Sequence, residues 1–191
     1  MDTSPAEDFR AVAGHFGDLV AATPAERWND PSPVADWTAR DVVGHLVEWL
    51  PPLLKQGAGI ELGPFPPVER DPLATWQAFT EQVQDLLDDP ATASKVLSDP
   101  HLGQVPVPQA VARFFTNDVF QHTWDLARAT GQEHGMDPQR CLQLVAGMEP
   151  IEDLLRSSGQ YGPRRPVADD ADPASRLAAF TGRDPQWRPH R

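Results

Sequence analysis

Cysteine is almost missing from this 191-residue chain; Cys141 is the only one. A lone cysteine cannot close an internal disulfide, which excludes a secreted disulfide scaffold. Lysine is nearly absent too, with Lys55 and Lys95 set against fourteen arginines. Positive charge is scarce overall: 16 basic residues face 28 acidic ones, for a net charge of −12. Such a balance argues against a binder of nucleic acid or of anionic membranes, which would carry a basic face. No apolar run reaches the ~20 residues needed to span a bilayer. The segment Met1 to Asp8 is acidic and lacks the basic and apolar regions of a signal peptide. Together these absences predict a soluble cytoplasmic protein with neither nucleic acid nor membrane as partner.

What is present points to helices. The 40% hydrophobic content and six tryptophans are too much for a disordered chain. The length suits one domain with a real core. We expect a single domain over residues 1–191, with a helical core at about 5–156 and an extended tail at 157–191. Twenty-one prolines, roughly twice average usage, fall in clusters. Proline is excluded from helix interiors and common at helix starts, so the clusters act as punctuation.

Between the clusters the apolar residues recur at helical spacing. Pro5 to Ala22 carries Phe9, Val12, Phe16, Leu19 and Val20, with Ser4 as N-cap. A second helix starts at Thr38, with Asp41 three residues on as a shortened capping box. Its stripe is Val42, Leu46, Trp49 and Leu53, and Pro51-Pro52 is expected to kink or end it. A loop over Gly57 to Arg70 leads to a third helix from Asp71-Pro72 to Asp89-Pro90. A fourth runs from about Pro108 to Thr130 and stops at Gly131, a natural C′ residue. A fifth spans Asp137-Pro138 to about Arg156. An irregular stretch, Gly159 to Asp172, precedes a short helix at Pro173 to Phe180. No run of strands is expected, and the pattern predicts an all-α bundle.

The fourth helix carries the chemistry. Its apolar stripe, Val111, Phe115, Leu126 and Ala129, is interrupted by Asp118 and His122. Their i, i+4 spacing puts both on one face. A buried carboxylate needs a partner. Either the two residues bond each other, or Asp118 pairs with an arginine, or both hold a metal, since carboxylate and imidazole are standard zinc ligands. On the second helix His45 lies at the border of the buried stripe. It is either a core-edge histidine or a third ligand, and Glu48 is a solvated neighbour or an auxiliary ligand. Asp125 either orients a ligand from behind or pairs with Arg128 on the surface. Arg113 and Arg128 are solvated or line a pocket, and the Pro-rich stretches 57–70 and 98–108 could border it. His15 is placed at the surface or rim. His101, His134 and His190 receive no role. Trp37 and Trp49 are read as core, Asp169, Asp170 and Asp172 as a solvated turn, and Cys141 as a small buried hydrophobe.

Three stretches are more specific. Trp28-Asn29-Asp30-Pro31-Ser32-Pro33 with Asp36-Trp37-Thr38-Ala39-Arg40-Asp41-Val42-Val43-Gly44-His45-Leu46 resembles the N-terminal signature of the mycothiol-dependent maleylpyruvate isomerase family, within the DinB-like superfamily. Asp118 to Gly131, containing His122-Thr123-Trp124-Asp125, resembles its second signature. Pro166 to Asp172, with Arg176-Leu177 and Phe180-Thr181-Gly182-Arg183-Asp184-Pro185, is similar to the short actinobacterial metal-binding branch of that family. The resemblance implies a DinB-like up-down-down-up four-helix bundle, here with an extra short C-terminal helix and an irregular tail. It implies a divalent metal, Zn2+ by preference, held by His45, Asp118 and His122. The usual Glu of the family pattern is replaced by the shorter Asp118.

Three protein ligands leave one position open, the layout of a catalytic zinc site. In the family this implies a metal-bound thiolate as nucleophile, with the thiol supplied by mycothiol rather than by Cys141. Two functions follow as expectations. One is a metal-dependent thiol transferase or isomerase acting on a small electrophile with a low-molecular-weight thiol. The other is a non-catalytic bundle that binds a metal or small ligand. The founding member's additional C-terminal domain has no counterpart in the expected layout, so maleylpyruvate itself is not the expected substrate.

Overall fold

A computed structural model describes residues 3–100 and 103–189. His101 and His190 lie outside the described residues.

Helix α1 (Pro5–Ala22) starts as its sequence dictates. Ser4 accepts from Glu7 N–H while the Glu7 carboxylate takes the Ser4 N–H, a full capping box. Such a cap is worth about 1 kcal/mol. Helix α2 (Ala39–Ala58) is capped in the same way by Thr38 and Asp41. It does not stop at Pro51-Pro52. Both prolines sit inside the helix, which continues to Gly59 in the left-handed conformation. Proline removes a helical N–H and crowds the preceding turn. Burial of Leu50 and Leu54 against the core offsets that cost and holds the last turns in place.

Helix α3 (Pro72–Asp88) is capped by Asp71. No run of strands interrupts the helices among the described residues, but one short ribbon is present. Strands β1 (Val96–Asp99) and β2 (Gly103–Pro106) form a two-stranded antiparallel ribbon. A pair this small gains little from its own ladder, and buried Leu97, lying beside Gly57 of α2, anchors it.

The predicted fourth helix is one rod in three parts: α4 (Val107–Ala110), a π-helical turn (Val111–Thr116) and α5 (Asn117–Thr130). The π turn was not legible in the sequence; such turns often accompany functional sites. The predicted fifth helix is broken at Pro150 into α6 (Pro138–Met148), a 3-10 turn and α7 (Glu152–Ser157). Helix α8 (Pro173–Phe180) closes the fold, and Asp172 caps it instead of lying in a solvated turn.

Helix α1 packs on α3 and α5, and α2 packs on the same two. The core between them is aromatic. Phe16 meets Trp76 at 4.6 Å between ring centroids, and Phe115 meets Phe79 at 5.6 Å and Phe9 at 6.0 Å. Each such burial is worth about 1.5–3 kcal/mol relative to exposure. The outcome is the all-α, DinB-like fold. Helix α5 is its most enclosed element, with α1, α2 and α8 all packed against it. Among the described residues no helix is long and apolar enough to cross a membrane.

Candidate metal centre

His45, Asp118 and His122 come together where α2 meets the start of α5. A ligand atom from each lies within 4.8 Å of the other two. His45 Nε2 is 3.0 Å from Asp118 Oδ2, and His122 Nε2 is 3.5 Å from Asp118 Oδ1. Two ligands bound tetrahedrally at zinc distances stand about 3.4 Å apart, so this donor set fits a divalent ion. His122 is buried, whereas His45 and Asp118 keep 31% and 24% of their side chains exposed. The cluster is therefore open on one side.

Neighbours fix each member. Trp49 Nε1 donates to Asp118 Oδ2 at 3.0 Å. Trp37 stacks on His122 at 5.7 Å and tilts over His45 at 4.9 Å. The loop before α2 holds Trp37 in place, since Ser32 N–H donates to Trp37 O and Ala39 N–H to Asp30 O. Trp37 and Trp49 thus pack against the core and also wall the triad, a role their apolar phase did not disclose. His122 Nδ1 donates to Asp125 Oδ2 at 2.9 Å. With Nδ1 engaged by Asp125, Nε2 is the ring nitrogen that faces Asp118, the orientation a metal ligand requires. Arg183 in turn donates to Asp125 from Nε at 3.3 Å and from its terminal nitrogen at 2.9 Å.

Electrostatics agree with these contacts. Burial pushes the Asp118 carboxyl up, but His122, His45 and the Trp49 N–H outweigh it and hold it below the ordinary value. Burial also raises Asp125, and Arg183 with His122 reverses the shift. Burial alone would lower the Arg183 pKa, yet Asp125 keeps it raised. The Tyr161 phenol is pushed up by burial and by the Asp118 charge, so this tail residue sits within electrostatic reach of the cluster.

Several expectations change. Asp125 is wholly buried and pairs with His122 and Arg183, not with Arg128. Arg128 instead lies over the Trp124 ring at 5.2 Å, and Arg113 over Phe114 at 5.4 Å. Glu48 is exposed and is not in the three-residue cluster. Of the Pro-rich stretch 57–70, Val68 lies against α2, where it would touch a Cβ placed on Gly44. Within the second stretch, residues 98–99 and 103–106 belong to the ribbon and 107–108 to the start of α4. His15 is at the rim, bonded to His134 O. Cys141 is buried on α6, and burial with nearby acidic charge pushes its thiol up to about 11. Arg183 was missed, although it lies in the third of the matched stretches.

An all-α protein with a two-histidine, one-carboxylate cluster at a helix crossing is the class that fold and site define. The sequence profile described as the mycothiol maleylpyruvate isomerase N-terminal domain matches residues 9–127. The chain belongs to that family. It is 33% identical over 177 residues to Uncharacterized protein Rv0738 of Mycobacterium tuberculosis, covering 88% of this chain and 91% of the relative. A shorter likeness, 45% over 40 residues, links it to Uncharacterized protein Rv0036c of the same species, covering 21% of this chain and 16% of the relative. No solved structure gives a significant match.

Proposed function

We propose that this protein is a zinc-dependent thiol transferase or isomerase that joins a low-molecular-weight thiol, mycothiol, to a small electrophilic substrate. The observation that supports it most is the cluster of His45 Nε2, His122 Nε2 and the Asp118 carboxylate within 4.8 Å. Family membership points to mycothiol as the thiol. A divalent metal bound there supplies Lewis acidity, lowering the pKa of a coordinated thiol so that it is nucleophilic near pH 7.

The chain's own residues do the rest. Asp118 would hold the ion through its carboxylate and contribute the cluster's one negative charge. Asp125 holds His122 in the Nδ1–H form. Trp37 packs against both imidazoles and so holds their rings in place. Cys141 cannot be the nucleophile, because its thiol is buried and protonated at neutral pH.

Purified protein loaded with Zn2+ should hold one ion per chain and conjugate mycothiol to activated electrophiles. His122→Ala should lose both properties. Stoichiometric zinc without metal-dependent turnover across a broad panel would favour the non-catalytic binding bundle. Protein that neither holds nor takes up a divalent ion would overturn the reading.

A further inference from the structure

We infer that the C-terminal segment completes the metal centre, and that Arg183 is the positioning residue through which it acts. The inference rests on the metal reading of His45, Asp118 and His122. Arg183 lies 56 residues beyond the end of the family match at residue 127. It nevertheless reaches the far side of a ligand. The relay runs from the Arg183 guanidinium to the Asp125 carboxylate at 2.9 Å, and from Asp125 Oδ2 to His122 Nδ1 at 2.9 Å. Asp125 is completely buried and Arg183 keeps 15% of its side chain exposed.

A carboxylate removed from water must be compensated. His122 alone offers Asp125 one N–H. Arg183 supplies the charge and occupies both carboxylate oxygens, since its Nε lies 3.3 Å from each. With the carboxylate so fixed, the His122 ring has one orientation and one tautomer. Partners behind a metal-bound histidine commonly set its affinity by 10–100-fold.

The segment itself is locked for this purpose. Helix α8 packs on α5 and α6. Arg183 N–H donates to Ala178 O, and its guanidinium also bonds Thr181 O. Gly182 has φ of +94° and faces Gly162 so closely that a Cβ would stand 2.7 Å from its Cα. The turn that delivers Arg183 therefore depends on Gly182, packed against the backbone of Gly162. A surface tail that merely covered the helix would need neither the buried ion pair nor the close approach.

The test is metal affinity and coordination rather than turnover. Full-length protein is stripped of metal and titrated with Co2+ against a chromophoric chelator, and its visible d–d spectrum is recorded. Thermal unfolding of the metal-free protein is followed in parallel. Arg183→Met should weaken Co2+ binding 10–100-fold and alter the d–d bands, and Arg183→Lys should recover part of the loss. If Arg183→Met does not fold, the double variant Asp125→Asn with Arg183→Met removes both buried charges. It should fold and still bind Co2+ at least tenfold more weakly. Wild-type affinity and spectrum in these variants, with only a lower unfolding temperature, would overturn the inference and leave the metal reading standing. Failure of the wild-type chain to take up Co2+ would overturn both.

Discussion

The indole Nε1 of Trp49 donates to Oδ2 of Asp118 at 3.0 Å, so an apolar-stripe residue of α2 aims the carboxylate of α5. Asp118 stands where the family resemblance implies a Glu, which is one methylene longer. Here the carboxylate reaches both histidines all the same, at 3.0 and 3.5 Å. Trp49 also packs edge-on against Phe115 at 5.5 Å, which ties the aim of Asp118 to the aromatic core.

Replacing Trp49 by Phe should keep the contact with Phe115 and remove only the donor. Metal affinity should fall by about 10-fold, within the range for loss of a supporting bond. Unfolding stability should fall by only about 1 kcal/mol, the typical net worth of one hydrogen bond. Competition titration and denaturant unfolding on the same preparation separate the two effects.

Asp118→Asn keeps the size of the side chain and removes its charge. The variant should fold, yet bind Zn2+ more weakly than any variant of a supporting residue, by more than the roughly 100-fold upper range of such losses. Elemental analysis after dialysis at sub-micromolar free zinc reads this out directly. Retained stoichiometric zinc would show that the two histidines suffice.

Gly182→Ala introduces a side chain at positive φ and against the Gly162 backbone. Left-handed strain and the clash together should cost about 2–4 kcal/mol. Because Arg183 is the next residue, metal affinity should fall in the same variant. Gly59→Ala is the control: it has a positive φ but open space around its Cβ position. Its effect should be smaller, and confined to stability.

The buried Cys141 thiol has a folded pKa of about 11, against about 8.5 in an unfolded chain. Between these values the unfolded chain releases a proton that the folded chain keeps. The contribution of this group is therefore fully present below about pH 8.5 and falls as pH rises toward 11. Wild-type stability should drop faster than that of Cys141→Ala between pH 8.5 and 10.5, by up to about 1.4 kcal/mol per pH unit. Parallel slopes in urea unfolding would contradict it. The native thiol should also react slowly with disulfide reagents at pH 8.

The helices were legible because their signals are local. Ser4 with Glu7, Thr38 with Asp41, and Asp71-Pro72 each set a helix start through contacts within four residues. The pairing of Asp118 with His122 was legible for the same reason, being a matter of one helical turn. The π turn at Val111–Thr116, the passage of α2 through Pro51-Pro52 and the pairing of Val96–Asp99 with Gly103–Pro106 were not. In each, packing against distant residues overrides a local preference.

The sequence by itself determined an all-α protein, the places where its helices begin, and the i, i+4 spacing that sets a carboxylate and an imidazole side by side. Tertiary structure decided how those two groups are used. It brought His45 to within 3.0 Å of Asp118 and left Glu48 exposed. It also buried Asp125 beneath a segment that returns to it from 58 residues away. Helical periodicity reports which residues share a face. It carries no information about what covers that face, because the covering element is fixed by packing between residues far apart in the chain.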